Sequence, residues 1–226
     1  MIRSALLSAC VVSSCLGAQD LASLSDSTAG KGLKEALAKG AEVAVAKLSA
    51  QDGFLGNDRV KIPLPPTLAK AEKLMRNLGM GRQADQLVTT MNRAAESAVV
   101  EAKPILLDSI KRMTLVDAKA ILTGPEDSAT QYFRRTSGEA IALKFKPKVS
   151  GATRKVKLAE DYDRFAGKAV QFGLLDKSDA NLDDYVTRKA VDGLFLMMAE
   201  QEKAIRADPM GQTSKLLKSV FGALKR

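Results

Sequence analysis

The chain has 226 residues, of which 46% are hydrophobic and 27% are charged, and its formal net charge is +9 without any histidine. The lack of histidine excludes the usual zinc sites, histidine-based triads and imidazole proton shuttles. Aromatic residues make up only 4% and tryptophan is absent, so the chain is poorly supplied with stacking surfaces for nucleic acid. The basic balance instead favours anionic lipid, an envelope polymer or an acidic protein as a partner, with nucleic acid disfavoured.

The first 18 residues have the pattern of a secretory signal peptide. A positive start at Arg3 precedes a small, apolar segment over residues 4–14. That segment is too short to span a bilayer, which needs roughly 20 apolar residues. We therefore predict an exported protein that resides in the periplasm.

Two cleavage sites compete at the end of this leader. Val12-Ser13-Ser14-Cys15 has the form of a lipobox, which makes Cys15 a candidate for lipidation and for anchoring at the outer membrane. The alternative is ordinary cleavage after Gly17 or Ala18. Both cysteines, Cys10 and Cys15, lie in the leader, so we expect a mature domain without disulfide or thiol chemistry.

Beyond the leader, apolar residues recur every three or four positions, which predicts an all-α fold. We predict a flexible linker over residues 19–28 and one irregular domain of about seven to nine helices over 29–226. The first helix should cover about 29–50. Residues 51–58 are rich in turn formers, and the prolines within 62–66 force an extended course.

Glycine and proline separate the next predicted helices. Thr67 is the expected N-cap of a second helix that ends near Leu78, where Gly79 and Gly81 stop it. A third helix should end or kink at Pro104. Its apolar stripe consists of Leu87, Met91, Ala94, Ala98 and Ala102.

The middle of the chain predicts three short or kinked helices. Thr114 and Asp117 have the spacing of a variant capping box at the start of one short helix. Another short helix is expected over 125–135. The stretch 139–160 fits either a strand or a helix kinked at Pro147, and its longer three-to-four periodicity favours the helix.

A long helix is predicted near the end of the chain, from the N-cap Asn181 to about Ala207. Its middle, residues 190–199, is apolar on nearly every side except at Asp192, which is typical of a central, buried helix. After Pro209 we expect a last amphipathic helix.

Six cations follow one another between Glu139 and Glu160 without an intervening acidic residue. Uncompensated charge of one sign can mark an anion-binding surface, although a solvated helix face is the commoner explanation. The candidate anion-binding residues, called the basic run below, are Lys144, Lys146, Lys148, Arg154, Lys155 and Lys157.

A second candidate set could form a polar cluster if its members meet in one open cleft. The set consists of Asn92, Arg93, Glu96, Asp183 and Asp192. Glu96 precedes Ser97, as the catalytic glutamate does in some helical cell-wall lyases, but the accompanying segment of those enzymes is absent. Asp192 is expected to pair with Arg188 or Lys189, one turn earlier, because an unpaired buried carboxylate would be costly.

Two further motifs lack the context that their chemistry requires. Residues 79–84 match a dinucleotide fingerprint, but a predicted helix precedes them instead of a strand. Residues 179–183 match the first three ligand positions of a calcium loop, whereas Asp184 and Ala190 stand where glycine and a bidentate acid are needed. We therefore predict no metal, no cofactor and no catalytic residue.

Several segments together resemble a known family. They are Gly53-Phe54, Ile62-Pro63-Leu64-Pro65, 91–96, 117–122, 182–187, 192–195, Ile205-Arg206-x-Asp208-Pro209 and Val220-Phe221-Gly222. In this order, over about residues 30–222, they resemble the bacterial exported family described as domain of unknown function 4197. The resemblance implies a signal peptide and a mostly helical fold, but no activity, ligand or catalytic residue. Lys144, Lys146 and Lys148 lie outside its pattern.

These observations favour a non-enzymatic binding or structural protein of the cell envelope that uses its basic run to meet anions. One alternative is a carrier of a small apolar ligand in a cavity between helices near Phe195, Met197 and Met198. The other is an envelope hydrolase that depends on carboxylates such as Glu96 or Asp192.

Overall fold

The computed structural model describes residues 26–79, 81–163 and 181–207, and these ranges contain helices and turns but no strand. The helices are α1 (Asp26–Ser49), α2 (Pro66–Asn77), α3 (Gly81–Ala98), α4 (Ala102–Arg112), α5 (Leu115–Thr123), α6 (Ser128–Thr153) and α7 (Leu182–Ala207). A 3-10 turn, Val99–Glu101, joins α3 to α4, and residues 157–163 are also helical. The predicted all-α class is confirmed. Among the described helices, none combines the length and the hydrophobicity that crossing a bilayer would require.

The core forms where α6 and α7 pack against each other, with α3 against α6 and α1 against α7 and α4. The prediction that α7 is a central helix is confirmed, because its apolar side chains are buried along most of its length. The fully or almost fully buried members are Leu182, Val186, Ala190, Leu194 and Phe195. The apolar stripe predicted for α3 and the residues after it is also buried throughout.

One long helix, α6, replaces the two helices predicted over 125–135 and 139–160. The separation was wrong because Ser137 and Gly138 do not interrupt the helix. Its buried residues recur every four positions through the junction, as Phe133, Ser137, Ile141, Phe145, Val149 and Thr153. Continuous burial against neighbouring helices therefore outweighs the weak helix propensity of a single glycine. The choice of helix over strand for the second segment is confirmed, and Pro147 lies inside α6 without ending it.

The start of α2 differs from the prediction by two residues. Pro65 is the N-cap and Pro66 is the first helical residue, so Thr67 is not the cap. Proline suits this position because its missing N–H would have no partner in the first turn. The end of α2 is as predicted, since Gly79 adopts the left-handed conformation with φ +77°. Gly81 begins α3 instead of stopping α2.

Two predicted helix starts are confirmed by their hydrogen bonds. At α5, the Asp117 N–H donates to Thr114 Oγ1 at 3.1 Å, and the Thr114 N–H donates to Asp117 Oδ2 at 3.0 Å. The Thr114 hydroxyl, which donates to Asp117 Oδ2 at 2.6 Å, and then the Thr114 N–H lower the pKa of the Asp117 carboxyl. At α7, Asn181 Oδ1 accepts from the Asp184 N–H at 3.0 Å. The predicted leader, Asp179 and the helix after Pro209 lie outside the described residues.

Candidate functional site

The loop of residues 50–65 is held against α3 by the polar side chains of that helix. Asn92 is fully buried and pairs with Ile62 as another peptide group would. Its Oδ1 accepts from the Ile62 N–H at 2.8 Å, and its Nδ2 donates to the Ile62 carbonyl at 2.9 Å. The same Nδ2 donates to the Val88 carbonyl. Because all the amide's atoms are used, Asn92 has a structural role.

Glu96 holds the other end of this loop. Its Oε1 accepts from the N–H groups of Phe54 and Leu55, each at 3.1 Å, and its Oε2 accepts from Arg93 Nη1 at 2.7 Å. Arg93 also donates to Asp52, a residue with φ +64°, at 2.8 Å. The hydrogen bond to Glu96, and then that to Asp52, raises the pKa of Arg93. The Glu96 side chain is only 6% exposed, so both carboxylate oxygens serve as buried acceptors.

The loop makes two close approaches that require glycine, one to α7 and one to the end of α1. A Cβ on Gly193 would lie 2.8 Å from Phe54 Cε1 and 3.3 Å from Val60 Cβ. A Cβ on Gly53 would lie 2.5 Å from the Leu48 carbonyl oxygen at the end of α1. The Tyr185 hydroxyl of α7 also donates to the Pro63 carbonyl at 3.2 Å. The loop is therefore a fixed wall beside α7.

A cleft of about 470 Å³ opens between this wall, the first half of α6 and α7. We call it the seam cleft. Its lining includes Arg59, Val60, Lys61, Pro63, Asp127, Thr130, Gln131, Arg134, Lys189, Asp192, Gly193, Phe195, Leu196 and Ala199. A second cleft of about 430 Å³ continues along α6 and α7 and shares Arg134, Asp192 and Phe195 with the first. The shared residues therefore stand where the two clefts meet.

An exposed ion pair occupies this shared position. Arg134 Nη1 lies 2.9 Å from Asp192 Oδ1, and the Arg134 guanidinium carbon lies 4.8 Å from the centre of the Phe195 ring. The two charged side chains are 54% and 50% exposed. The predicted pairing of Asp192 with Arg188 or Lys189 is wrong, because α6 brings Arg134 to it from another helix. The expected burial of Asp192 is also wrong, since its side of α7 faces the cleft.

Positive charge predominates in the lining of the seam cleft, which has four cations and two carboxylates. Arg59 Nη2 approaches Glu200 Oε1 to 2.7 Å, although the angles are not those of a hydrogen bond. Lys61 is exposed, and no carboxylate of the described residues pairs with it. Lys189 lies 5.8 Å from the ring centre of Tyr185. The cleft thus offers a ligand two lysines, Lys61 and Lys189, in addition to the arginines that lie beside carboxylates.

The basic run does not form one face in the folded chain. Residues two apart on a helix point in nearly opposite directions, so Lys146 lies on the other flank of α6 from Lys144 and Lys148. Lys146 Nζ pairs with Asp184 of α7 at 2.6 Å, which raises the pKa of the lysine. Lys148 Nζ pairs with Glu101 at 3.2 Å.

The other end of the basic run lies where α6 stops. Arg154 is the C-cap of α6, and Lys155 follows it. Cations are favourable at this position because a helix carries partial negative charge at its C-terminus. All six side chains of the run are exposed, so its anion-binding role stays a prediction.

Asp183 lies apart from the other members of the predicted polar cluster. Its Oδ1 accepts from the Thr153 hydroxyl at the end of α6. Asp163 lies nearby and accepts from the Leu182 N–H at 2.7 Å, and burial raises the pKa of its carboxyl. The five candidates therefore occupy three places, and of them only Asp192 lines the seam cleft. Within 26–79, 81–163 and 181–207, no group of three or more acidic side chains could hold a metal ion.

Glu202 forms a second buried carboxylate cluster that the sequence analysis missed. Its oxygens accept from the N–H groups of Ala129 and Thr130 at 3.0 and 2.9 Å, and from Arg206. Arg206 also donates to the Ile121 carbonyl at 2.8 Å. These bonds hold the first turn of α6 against α7. The one signal in the sequence is the Glu-Arg pair at a spacing of four, which usually indicates only a surface pair.

Comparison with known proteins gives one match. The family model described as "Protein of unknown function (DUF4197)" matches residues 23–222. No curated protein and no solved structure matches the chain. Since the match covers most of the sequence, the chain belongs to this family of proteins of unknown function.

Proposed function

We propose that the chain is a non-enzymatic binding protein of the cell envelope, with the seam cleft as its binding site. The ligand that the cleft suits best carries an anionic group, a carboxylate or a phosphate, that Arg134 binds. The observation that carries this proposal is the exposed Arg134–Asp192 pair, set between two clefts and over an aromatic ring.

The position of the cleft supports its assignment as a site. Segments that carry the family resemblance line it, through Pro63 on the loop and through Asp192, Gly193 and Phe195 on α7. Other such segments hold its wall in place, through Asn92 and the other polar residues of α3. A preformed wall lowers the conformational cost of binding.

The charges support an anionic ligand. Arg134 is planar, suits bidentate binding to carboxylate and phosphate, and is kept in place by the Phe195 ring. Its present partner, Asp192, is half exposed, so a ligand anion can replace that carboxylate without burying a charge. Lys61 and Lys189 add positive charge to the same cleft.

The two alternatives have less support. The hydrolase hypothesis needs a carboxylate that can reach and protonate a substrate. Glu96 is buried and accepts three hydrogen bonds. Asp192 does reach the seam cleft, but it is paired with Arg134. The carrier hypothesis needs an apolar cavity of ligand size, but the described cavity beside Met198 holds only about 20 Å³, and the larger seam cleft beside Phe195 is lined by four cations. Drug-sized ligands generally need about 300 Å³ or more.

Two single substitutions test the proposal because it predicts effects of opposite sign. We would titrate the protein with inorganic phosphate and with citrate, and follow the backbone amides by NMR. Asp192→Asn should strengthen binding because it frees Arg134, and Arg134→Gln should abolish it. The affected amides should belong to residues 59–63 and to α7 near Asp192. Absent shifts, or equal binding by Arg134→Gln and the parent, would contradict an anion site here.

The envelope location is a separate part of the proposal, and it depends on the leader. Fractionation of cells that produce the full chain, with mass spectrometry of the N-terminus, tests it. A diacylated Cys15 supports anchoring, and a start after Gly17 or Ala18 supports a free periplasmic protein. An intact leader in the cytoplasmic fraction would contradict export.

A further inference from the structure

A second surface of interest lies where the first turns of α1, the end of α4 and the start of α5 meet. Leu115 and Val116 occupy the first two positions of α5, and their side chains are 60% and 78% exposed. Val116 is the most exposed large apolar residue of the described ranges. We call these two residues the apolar tip.

The fold holds the apolar tip in a fixed position. The capping box of Thr114 and Asp117 fixes the first turn of α5. Met113 and Ala118 are buried on either side of it. The Leu115 side chain also rests on α1, where a Cβ on Gly30 would lie 3.3 Å from Leu115 Cδ2. The tip is therefore presented by a rigid helix start.

Lysines surround the tip. Lys31 follows Gly30 on α1, and Lys119 lies one turn after Leu115 on α5. Lys34 Nζ donates to the backbone carbonyl of Lys111 at 3.3 Å, so Lys34 lies at the end of α4, where the Lys111 side chain is exposed. In the described part of the chain, none of these four lysines pairs with a carboxylate.

Two carboxylates near the tip, one on α4 and one on α5, are already in use. Arg112 neutralises Asp108, with 3.0 Å between Nη2 and Oδ2. Asp117 is held in the capping box, and the positive charge of Arg135 also stabilises its carboxylate. The surroundings of the tip are therefore positive, which distinguishes it from an ordinary exposed apolar residue.

We propose that the apolar tip docks on an anionic lipid surface. Leu115 and Val116 enter the boundary between headgroups and acyl chains, and Lys31, Lys34 and Lys111 face the lipid phosphates. Exposed aliphatic side chains bordered by lysines suit this interface because the two kinds of attraction act together. The surface is separate from the seam cleft, so the proposal goes beyond ligand binding there.

The course of the chain agrees with this orientation. Gly30 lies in the first turns of α1, which begins at Asp26, so the predicted leader and linker join the domain beside the tip. A lipid on Cys15 would place this end of the domain toward the membrane. This argument rests on the proposed export and lipidation, whereas the exposure and charge of the tip do not.

Co-sedimentation with lipid vesicles tests the proposal. The purified protein without its leader is mixed, at low ionic strength, with vesicles of phosphatidylcholine alone or with added phosphatidylglycerol. The tip variant is Leu115→Ser with Val116→Ser. Its matched control is Leu74→Ser on α2 with Leu78→Ser at the C-cap of that helix, where the residues are 61% and 68% exposed.

A second pair of variants tests the charges. One replaces four lysines by glutamine, at Lys31, Lys34, Lys111 and Lys119. Its control makes the same change of charge in the basic run, at Lys144, Arg154, Lys155 and Lys157. Circular dichroism melting shows whether each variant still folds, and the charge variants test the tip independently of the serine variant.

We expect the parent to bind only the anionic vesicles and to be released at high salt, where the Debye length is short. The tip variant should lower the partition coefficient roughly tenfold, and its control should change it little. Lack of binding by the parent, unchanged binding by the tip variant, or a larger loss from the basic-run control would overturn the proposal. So would analytical ultracentrifugation without vesicles that shows a parent dimer and a monomeric tip variant, since the tip would then be a self-association surface.

Discussion

The Glu96 cluster and the Arg134–Asp192 pair use the same chemistry in opposite surroundings. In both, an arginine donates to a carboxylate at 2.7 to 2.9 Å. Glu96 is 6% exposed and also accepts from two backbone N–H groups of the loop, whereas Asp192 is 50% exposed. Because Glu96 is buried, its cluster is part of the fold. Because Asp192 is exposed, the Arg134–Asp192 pair is free to exchange partners.

The Glu202 cluster belongs with Glu96 in this comparison. Both are buried carboxylates that accept two backbone N–H groups and an arginine one turn away on the same helix. Removing such an acceptor leaves buried donors unsatisfied, which costs far more than losing an exposed pair. Among the described residues, Glu96 and Glu202 are thus fixed polar anchors, whereas the exposed Arg134–Asp192 pair lines a cleft and is the candidate site.

Removal of Glu96 should have the largest effect on stability. Glu96→Ala leaves the N–H groups of Phe54 and Leu55 and the Arg93 guanidinium without their buried acceptor, so we expect a loss of about 3 kcal/mol or more. Urea unfolding measures it. Glu96→Gln, which keeps one acceptor oxygen, should cost less. A loss from Glu96→Ala below about 1 kcal/mol would mean that the loop is held by packing instead.

A methyl group on Gly193 tests how tightly the wall of the cleft packs on α7. Gly193→Ala should destabilise the protein by about 1–3 kcal/mol because the Phe54 ring and Val60 leave no space. Gly138→Ala is the matched control, since its Cβ would lie 3.8 Å from Phe195. That helical substitution should be neutral or stabilising by up to about 1 kcal/mol. Equal effects in thermal unfolding would indicate that the loop can move away from α7.

The capping box of α5 has a carboxylate, that of Asp117, which accepts a backbone N–H without deep burial. Its contribution to stability should therefore lie between that of the Glu96 cluster and that of the exposed Arg134–Asp192 pair. Thr114→Ala should cost about 1 kcal/mol. Because the pKa of Asp117 is below its ordinary value of 3.8 in the fold, its contribution is present above that pH and is lost as the pH falls through the folded pKa. Urea unfolding should be measured from neutral pH down to pH values below the folded pKa of Asp117. The free energy of unfolding should fall less over this range in Asp117→Asn than in the parent.

The Arg134–Asp192 pair should contribute least to stability. Asp192→Asn and Arg134→Gln should each change the unfolding free energy by about 0–1 kcal/mol, as exposed pairs generally do. The same two substitutions should have large and opposite effects on anion binding. A destabilisation as large as that of Glu96→Ala would show that the pair is a third anchor, and the distinction between fixed and open pairs would fail.

Local patterns in the sequence predicted most of the helices. The capping residues Thr114 and Asn181, the left-handed Gly79 and the apolar stripe of α3 are where the sequence analysis expected them. These features depend on neighbours within about one helical turn, so the sequence contains their causes. The division of α6 was wrong because burial against other helices carried it through Gly138.

The candidate site depended on contacts between distant residues. The partner of Asp192 proved to be Arg134, separated from it by 58 positions, and no periodicity points to that pair. Glu202 gave only the signal of a surface pair, although it holds the start of α6. The six cations of the basic run form a continuous stretch in the sequence, yet the turn of the helix and the acids of neighbouring elements divide them.

The sequence by itself determined the helical class, the positions of most helix ends and the excess of positive charge. These properties follow from short-range spacing and composition, which do not depend on how the helices are arranged. The tertiary structure decided that Glu96 and Glu202 are buried acceptors and that Asp192 faces an open cleft. It did so because burial and pairing are set by the elements that pack around a side chain, and those elements come from remote parts of the chain.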